Sequence, residues 1–129
     1  MIDPKHKFFL FKQSKHFCSV PWNHIEIFAN GGVRTCAKGK MFGNLLEEDL
    51  ETILKKKWVL DLKETLYNDQ PHDNCTACYN LSTGKEHTDL RHHYNSLFQS
   101  GKVDYSDLNF FNLQGIDLHW DNTCNLKCI

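Results

Sequence analysis

The sequence predicts an α+β fold, a small β-hairpin and helices gathered around a four-cysteine site. Three observations lead there. Apolar and polar residues alternate from His24 to Cys36 around Asn30-Gly31-Gly32. Apolar residues recur at spacings of three and four over residues 49–68. Four cysteines, Cys18, Cys36, Cys75 and Cys78, flank those two elements.

Taking the elements in order, residues 1–16 read as a polar lead-in with one apolar patch, Phe8-Phe9-Leu10-Phe11. In the hairpin, Ile25 and Ile27 alternate with polar neighbours, Asn30-Gly31-Gly32 supplies the positive φ of a tight turn, and Val33 to Cys36 returns. Leu50, Ile53, Leu54, Trp58, Leu62 and Leu66 form one helical stripe, with Asp49 as N-cap and a break expected near Lys57. The Lys55-Lys56-Lys57 run reads as a solvated helix face. Pro71 and its turn-forming neighbours make residues 68–74 a loop that leads into Cys75-Thr76-Ala77-Cys78. A second helix is expected from about Lys85 to Phe98, with Leu90, Tyr94, Leu97 and Phe98 on one face. Residues 99–112 read as a linker. Ile116, Leu118 and Trp120 alternate as in a strand, and Asp121 to Ile129 form a loop with the last two cysteines.

The chain length, 129 residues, suits one compact domain with a real core. A net charge of −1 offers no basic surplus for nucleic acid or an anionic membrane. The four-residue apolar patch near the start is too short for a signal-peptide core or a membrane span. A cytoplasmic location is therefore expected, and in a reducing compartment six cysteines serve metals or catalysis rather than disulfides.

Converging thiolates suit either a tetrahedral zinc or an iron–sulfur cluster. Cys75-x2-Cys78 lets one tight loop present two of them, and the hairpin could bring Cys18 and Cys36 to the same end. A zinc ribbon normally carries two such close pairs, whereas 17 residues lie between Cys18 and Cys36. Buried, unliganded thiols at Cys18 and Cys36 are the other reading of that pair.

The spacing resembles the SPASM and twitch domains of radical SAM proteins. Their auxiliary 4Fe–4S cluster is held by a cysteine, nine to fifteen residues, a glycine, four residues and a cysteine, followed after a gap by Cys-x2-Cys. Cys18, twelve residues, Gly31, four residues and Cys36 follow that pattern, and Cys75-x2-Cys78 completes it. Cys18-Ser19-Val20-Pro21-Trp22-Asn23-His24, Gly43-Asn44-Leu45 and Cys78-Tyr79 are similar to the family's wording. The resemblance implies a cluster-binding domain over residues 17–98, with Cys18, Cys36, Cys75 and Cys78 as ligands. Full SPASM domains have a cysteine six positions after the second member of the pair. Gly84 stands there, so the single-cluster twitch type is the better likeness.

Asn122-Thr123-Cys124-Asn125-Leu126-Lys127-Cys128 is similar to a second family feature. Radical SAM enzymes carry Cys-x3-Cys-x2-Cys after the first barrel strand, and those thiolates hold the 4Fe–4S cluster that binds S-adenosylmethionine. The likeness implies that Cys124 and Cys128 are two of the three ligands, that the third would be residue 131, and that residues 113–129 begin a (β/α) barrel absent from this sequence. The partners so implied are that barrel, on the same polypeptide or a separate chain, and a peptide substrate. The alternative is a zinc-binding four-cysteine structural module with no redox role, in which the terminal pair is incidental or completes a zinc site with Cys75 and Cys78. His24 and His119 fall on strands, and His87, His92 and His93 on the second helix, where they read as structural. Trp22, Trp58 and Trp120 read as core or interface.

Overall fold

A computed structural model describes residues 3–36, 39–76, 78, 90–99 and 103–119. Helix α1 (Pro4–Phe8) runs into a π-helical turn (Phe9–Gln13), and one helical turn, α2 (Val20–Asn23), precedes the hairpin. Strands β1 (His24–Phe28), β2 (Gly32–Arg34) and β3 (Gly43–Asn44) follow, then helices α3 (Leu50–Leu54) and α4 (Lys57–Tyr67). A 3-10 turn (Asp73–Cys75), helix α5 (Leu90–Phe98) and strand β4 (Gly115–His119) complete the described chain. Among the described residues no helix is long and apolar enough to cross a membrane.

The expected hairpin forms. Gly31 holds φ at +89°, where a Cβ would stand 2.5 Å from Asn44 Oδ1, so the turn needs glycine on both conformational and steric grounds. Ile27 pairs with Val33 and Glu26 with Arg34. The strands form one mixed sheet in the order β3-β2-β1-β4, with β4 parallel to β1. A parallel pair needs a long crossover, and helices α3, α4 and α5 lie within it. The Asn112 and Gln114 N–H groups donate to the carbonyls of Trp22 and Asn23 at 2.9 and 2.7 Å, which steers the chain into β4 beside β1.

The stripe over residues 49–68 is divided near Lys57 into two helices rather than one. Asp49 caps α3 by accepting from the Thr52 N–H at 2.8 Å. Lys56 is extended (ψ 147°) and starts α4. Two of the three consecutive lysines sit on the solvated face, paired with Glu51 and Asp61. Lys56 differs, for it reaches Glu48 at 2.7 Å and the Phe42 carbonyl at 3.1 Å, so it ties β3 to the helices. Gly43 in β3 lets the strand approach α3 closely; a Cβ there would come within 2.6 Å of Ile53.

Two clusters make the core. Ile25, Val33 and Ile53 join the sheet to α3. Leu10, Phe17, Trp22, Leu62, Leu66, Val103 and Tyr105 form the larger one, with Trp58 packed beside it. Leu10 comes from the expected lead-in, and Val103 and Tyr105 from the expected linker. Residues 103–112 contain neither helix nor strand, yet they close over α4. There Lys63 is buried and donates to the carbonyls of Leu108 and Phe110 at 3.1 and 3.0 Å, its ammonium pushed down to about 8 by burial. Trp120 and residues 85–89 of the second expected helix lie outside the described residues.

The polar residues that alternate with Ile25 and Ile27 in β1 do not face water. His24 and Glu26 are both buried: β4 flanks them, and Tyr94 of α5 packs against His24. Glu26 meets Arg34 Nε at 2.6 Å and His119 Nε2 at 3.2 Å; His24 meets the Thr35 carbonyl at 2.8 Å and Asp117 at 3.3 Å.

Candidate metal centre

Cys18 lies between the π-helical turn and α2, in a stretch held from three sides. From below, Phe17 is fully buried against Trp22 and Tyr105, with ring centroids 5.6 and 5.4 Å away. From one flank, Asp69 accepts from Ser14 Oγ at 2.6 Å and from the His16 and Lys15 N–H groups at 2.9 and 3.0 Å. Asp69 does this from a left-handed backbone, φ 55°, a conformation aspartate tolerates better than most residues. From the other flank, α5 supplies Asn95 and Arg91. The Asn95 carbonyl oxygen accepts from the Ser19 N–H and Oγ, both at 2.8 Å, and its amide donates to the Phe17 carbonyl at 3.1 Å. Arg91 donates to the carbonyls of Phe17 and Ser14 at 3.1 and 3.3 Å.

Cys36 follows β2, and the loop beyond it is tied to the other cysteine pair. Asn74 Oδ1 accepts from the Lys40 N–H at 2.7 Å, so the residue just before Cys75 holds the segment just after Cys36. Cys75 closes the 3-10 turn, its N–H donating to the His72 carbonyl at 2.9 Å. Of these four cysteines Cys78 is buried and the other three are half-buried.

The four side chains line one cavity, with Arg91, Tyr94 and His16 among its other walls. It encloses about 370 Å³ of atom-free space, the part open to solvent included. Burial pushes the Cys18 thiol well above its ordinary value; an N–H from Val20 pulls it down, and the Cys36, Cys75 and Cys78 sulfurs push it further up. Tyr94 is raised too, first by burial and then by the carboxylates of Asp117 and Glu26 and the thiols of Cys36 and Cys18. It thus stands between the cysteine cavity and the polar face of the sheet.

This donor set fits an iron–sulfur cluster. Thiolates are its ordinary ligands, the four come from three separate stretches to one half-sheltered space, and hydrogen bonds hold each stretch in place. Among the described residues, no three His, Cys, Asp or Glu side chains close on a point that a single metal ion could occupy.

The sequence had singled out these four cysteines, and the structure brings them together. Cys124 and Cys128 lie outside the described residues, as does His87. His24 and His119 sit in the sheet rather than at the cavity, and His93 is exposed on α5. Sequence reasoning missed His16, Asp69, Asn74, Arg91 and Asn95. One signal was there: Arg91, Tyr94, Asn95 and Phe98 fall at i, i+3, i+4 and i+7 of a helix.

Comparison with curated proteins and with solved structures finds no match. Comparison with family models finds one: the model of the SPASM iron–sulfur cluster-binding domain matches residues 18–79, a span that opens on Cys18 and takes in Cys36, Cys75 and Cys78.

Proposed function

We propose that Cys18, Cys36, Cys75 and Cys78 together ligate one 4Fe–4S cluster, which serves as the auxiliary cluster of S-adenosylmethionine-dependent radical chemistry. The observation that carries the reading is the shared cavity: four cysteines from three stretches of chain, inside the span that matches the SPASM domain. Such a cluster, when bound, supplies one-electron transfer or a docking point for substrate, a peptide in this reading. Cys124 and Cys128 then contribute to a second cluster, the one that binds S-adenosylmethionine, together with a barrel on the same polypeptide or a separate chain.

Anaerobic reconstitution with ferrous iron and sulfide tests the ligand set. Wild-type protein should turn brown and give an EPR signal after reduction with dithionite. Cys18→Ser, Cys36→Ser, Cys75→Ser and Cys78→Ser should each lose most of that colour, while Cys124→Ser and Cys128→Ser should keep it. A colourless protein that retains one zinc overturns the proposal.

A further inference from the structure

Asn74 is a wall of the cysteine cavity and stands one residue ahead of Cys75. One end of its side chain is fixed. The Lys40 N–H donates to it at 2.7 Å, and an N–H needs an acceptor, so that end is the carbonyl oxygen. Its backbone is fixed as well, the Asn74 N–H donating to His72 Nδ1 at 3.0 Å. The other end of the side chain, the Nδ2 amide, has no hydrogen-bond partner among the described residues. It lies on the Cys36 side. A Cβ added at Gly39 would come within 3.3 Å of Asn74 Nδ2 and 3.4 Å of Cys36 Sγ, so amide and sulfur share the space beside that glycine. The Gly39 N–H donates to the Cys36 carbonyl at 2.9 Å, which closes the turn that carries this space. On the cluster reading of the site, we infer that the Asn74 Nδ2 amide donates to the Cys36 thiolate in the loaded protein and raises the reduction potential of the cluster.

The physical chain is short. A thiol sulfur accepts hydrogen bonds weakly, whereas a charged thiolate accepts them strongly. One electron added to a thiolate-bound cluster puts more negative charge on its sulfurs. An N–H aimed at one of them stabilises the reduced form more than the oxidised form, so the potential rises. The Lys40 and His72 contacts orient the amide in advance, so no further ordering is needed when the cluster binds. A loosened loop acts the other way. It lets water surround the more highly charged reduced form, and that raises the potential. Loss of the donor and loss of the anchor therefore move the potential in opposite directions.

The experiment is an EPR-monitored redox titration of the reconstituted wild-type chain, Asn74→Asp and Asn74→Leu, with iron and sulfide content measured beside it. Asn74→Asp keeps an acceptor for the Lys40 N–H and loses the donor. Asn74→Leu loses both and adds no charge. Both variants should load their cluster and titrate at more negative potentials than wild type. An unmoved or raised potential in either fully loaded variant overturns the inference; a shift confined to Asn74→Asp is the work of its added carboxylate. Should the variants fail to load, wild-type protein decides by itself. Pulsed EPR of its reduced cluster, with asparagine carrying heavy nitrogen in the side-chain amide alone, should show a coupling to that nitrogen, since Asn74 is the one asparagine among the cavity's described walls. Absence of the coupling overturns the inference. Failure of wild-type protein to take up iron and sulfide is a separate result, and it removes the cluster itself.

Discussion

The stretch around Cys18 and strand β4 both adjoin the hairpin, the first just ahead of it in sequence and the second far beyond it, yet they are held differently. The first rests on a fully buried aromatic cluster and is fastened by many hydrogen bonds, the buried Asn95–Ser19 pair and the charged Asp69 and Arg91 among them. The second is an edge strand whose apolar side chains, Ile116 and Leu118, remain about half exposed, 45% and 49%. Apart from its ladder, β4 is fastened by histidine–carboxylate contacts, His24 with Asp117 and His119 with Glu26. The difference teaches where precision is needed. A multi-thiol site demands that each ligand-bearing loop hold its place, and the fold supports the Cys18 loop from three sides. A strand that only flanks the sheet can remain half in water.

Substitutions at the two regions should separate sharply. Phe17→Ala should destabilise the protein most, by about 3–5 kcal/mol, because it empties space beneath Cys18 that Trp22 and Tyr105 cannot fill; urea denaturation measures it. Asn95→Ala should cost about 1–3 kcal/mol by orphaning the buried Ser19 N–H and hydroxyl. That variant should also load less iron, since Ser19 and Phe17 bracket Cys18.

A smaller, pH-dependent effect is expected at Asp69. Burial raises its pKa, but hydrogen bonds from Ser14, His16 and Lys15, together with the His16 imidazole, outweigh this and hold the carboxyl below its ordinary value. A carboxyl whose folded value is depressed adds stability above its unfolded pKa of about 3.9, and that share disappears as pH falls through the folded value. Acid denaturation of Asp69→Asn should therefore lack part of the wild-type loss in this window. The smallest effect belongs to the edge strand: Leu118→Ser should change stability by no more than about 0.5 kcal/mol in the same urea assay. A large loss there would mean that β4 is as deeply built in as the Cys18 loop, and the contrast would fail.

Much of this architecture was legible in the sequence. The turn glycine, the helical stripe with its break and the four cysteines each follow from local pattern, because φ preference, amphipathic period and ligand spacing are written into neighbouring residues. What escaped was polar and long-range. Arg91 and Asn95 were read past because the apolar rule assigned the buried face of α5 to Leu90, Tyr94, Leu97 and Phe98. Leu97 is in fact 56% exposed, while Arg91 and Asn95 point inward to the Cys18 loop. Glu26 was hidden for a related reason. Its burial depends on β4, 91 residues further along at its partner Asp117, whose parallel pairing has no local signature until the crossover is known. Val103 and Tyr105 show the same limit, since a core residue on an irregular segment leaves no period to read.

The account turns on what the thiol-lined cavity holds. Metal and acid-labile sulfide analysis of anaerobically prepared protein, coupled with metal-edge X-ray absorption, answers that directly. It should find iron and sulfide in equal amounts, with iron–iron scattering and sulfur neighbours. Zinc surrounded by sulfur alone, with no labile sulfide, would contradict it.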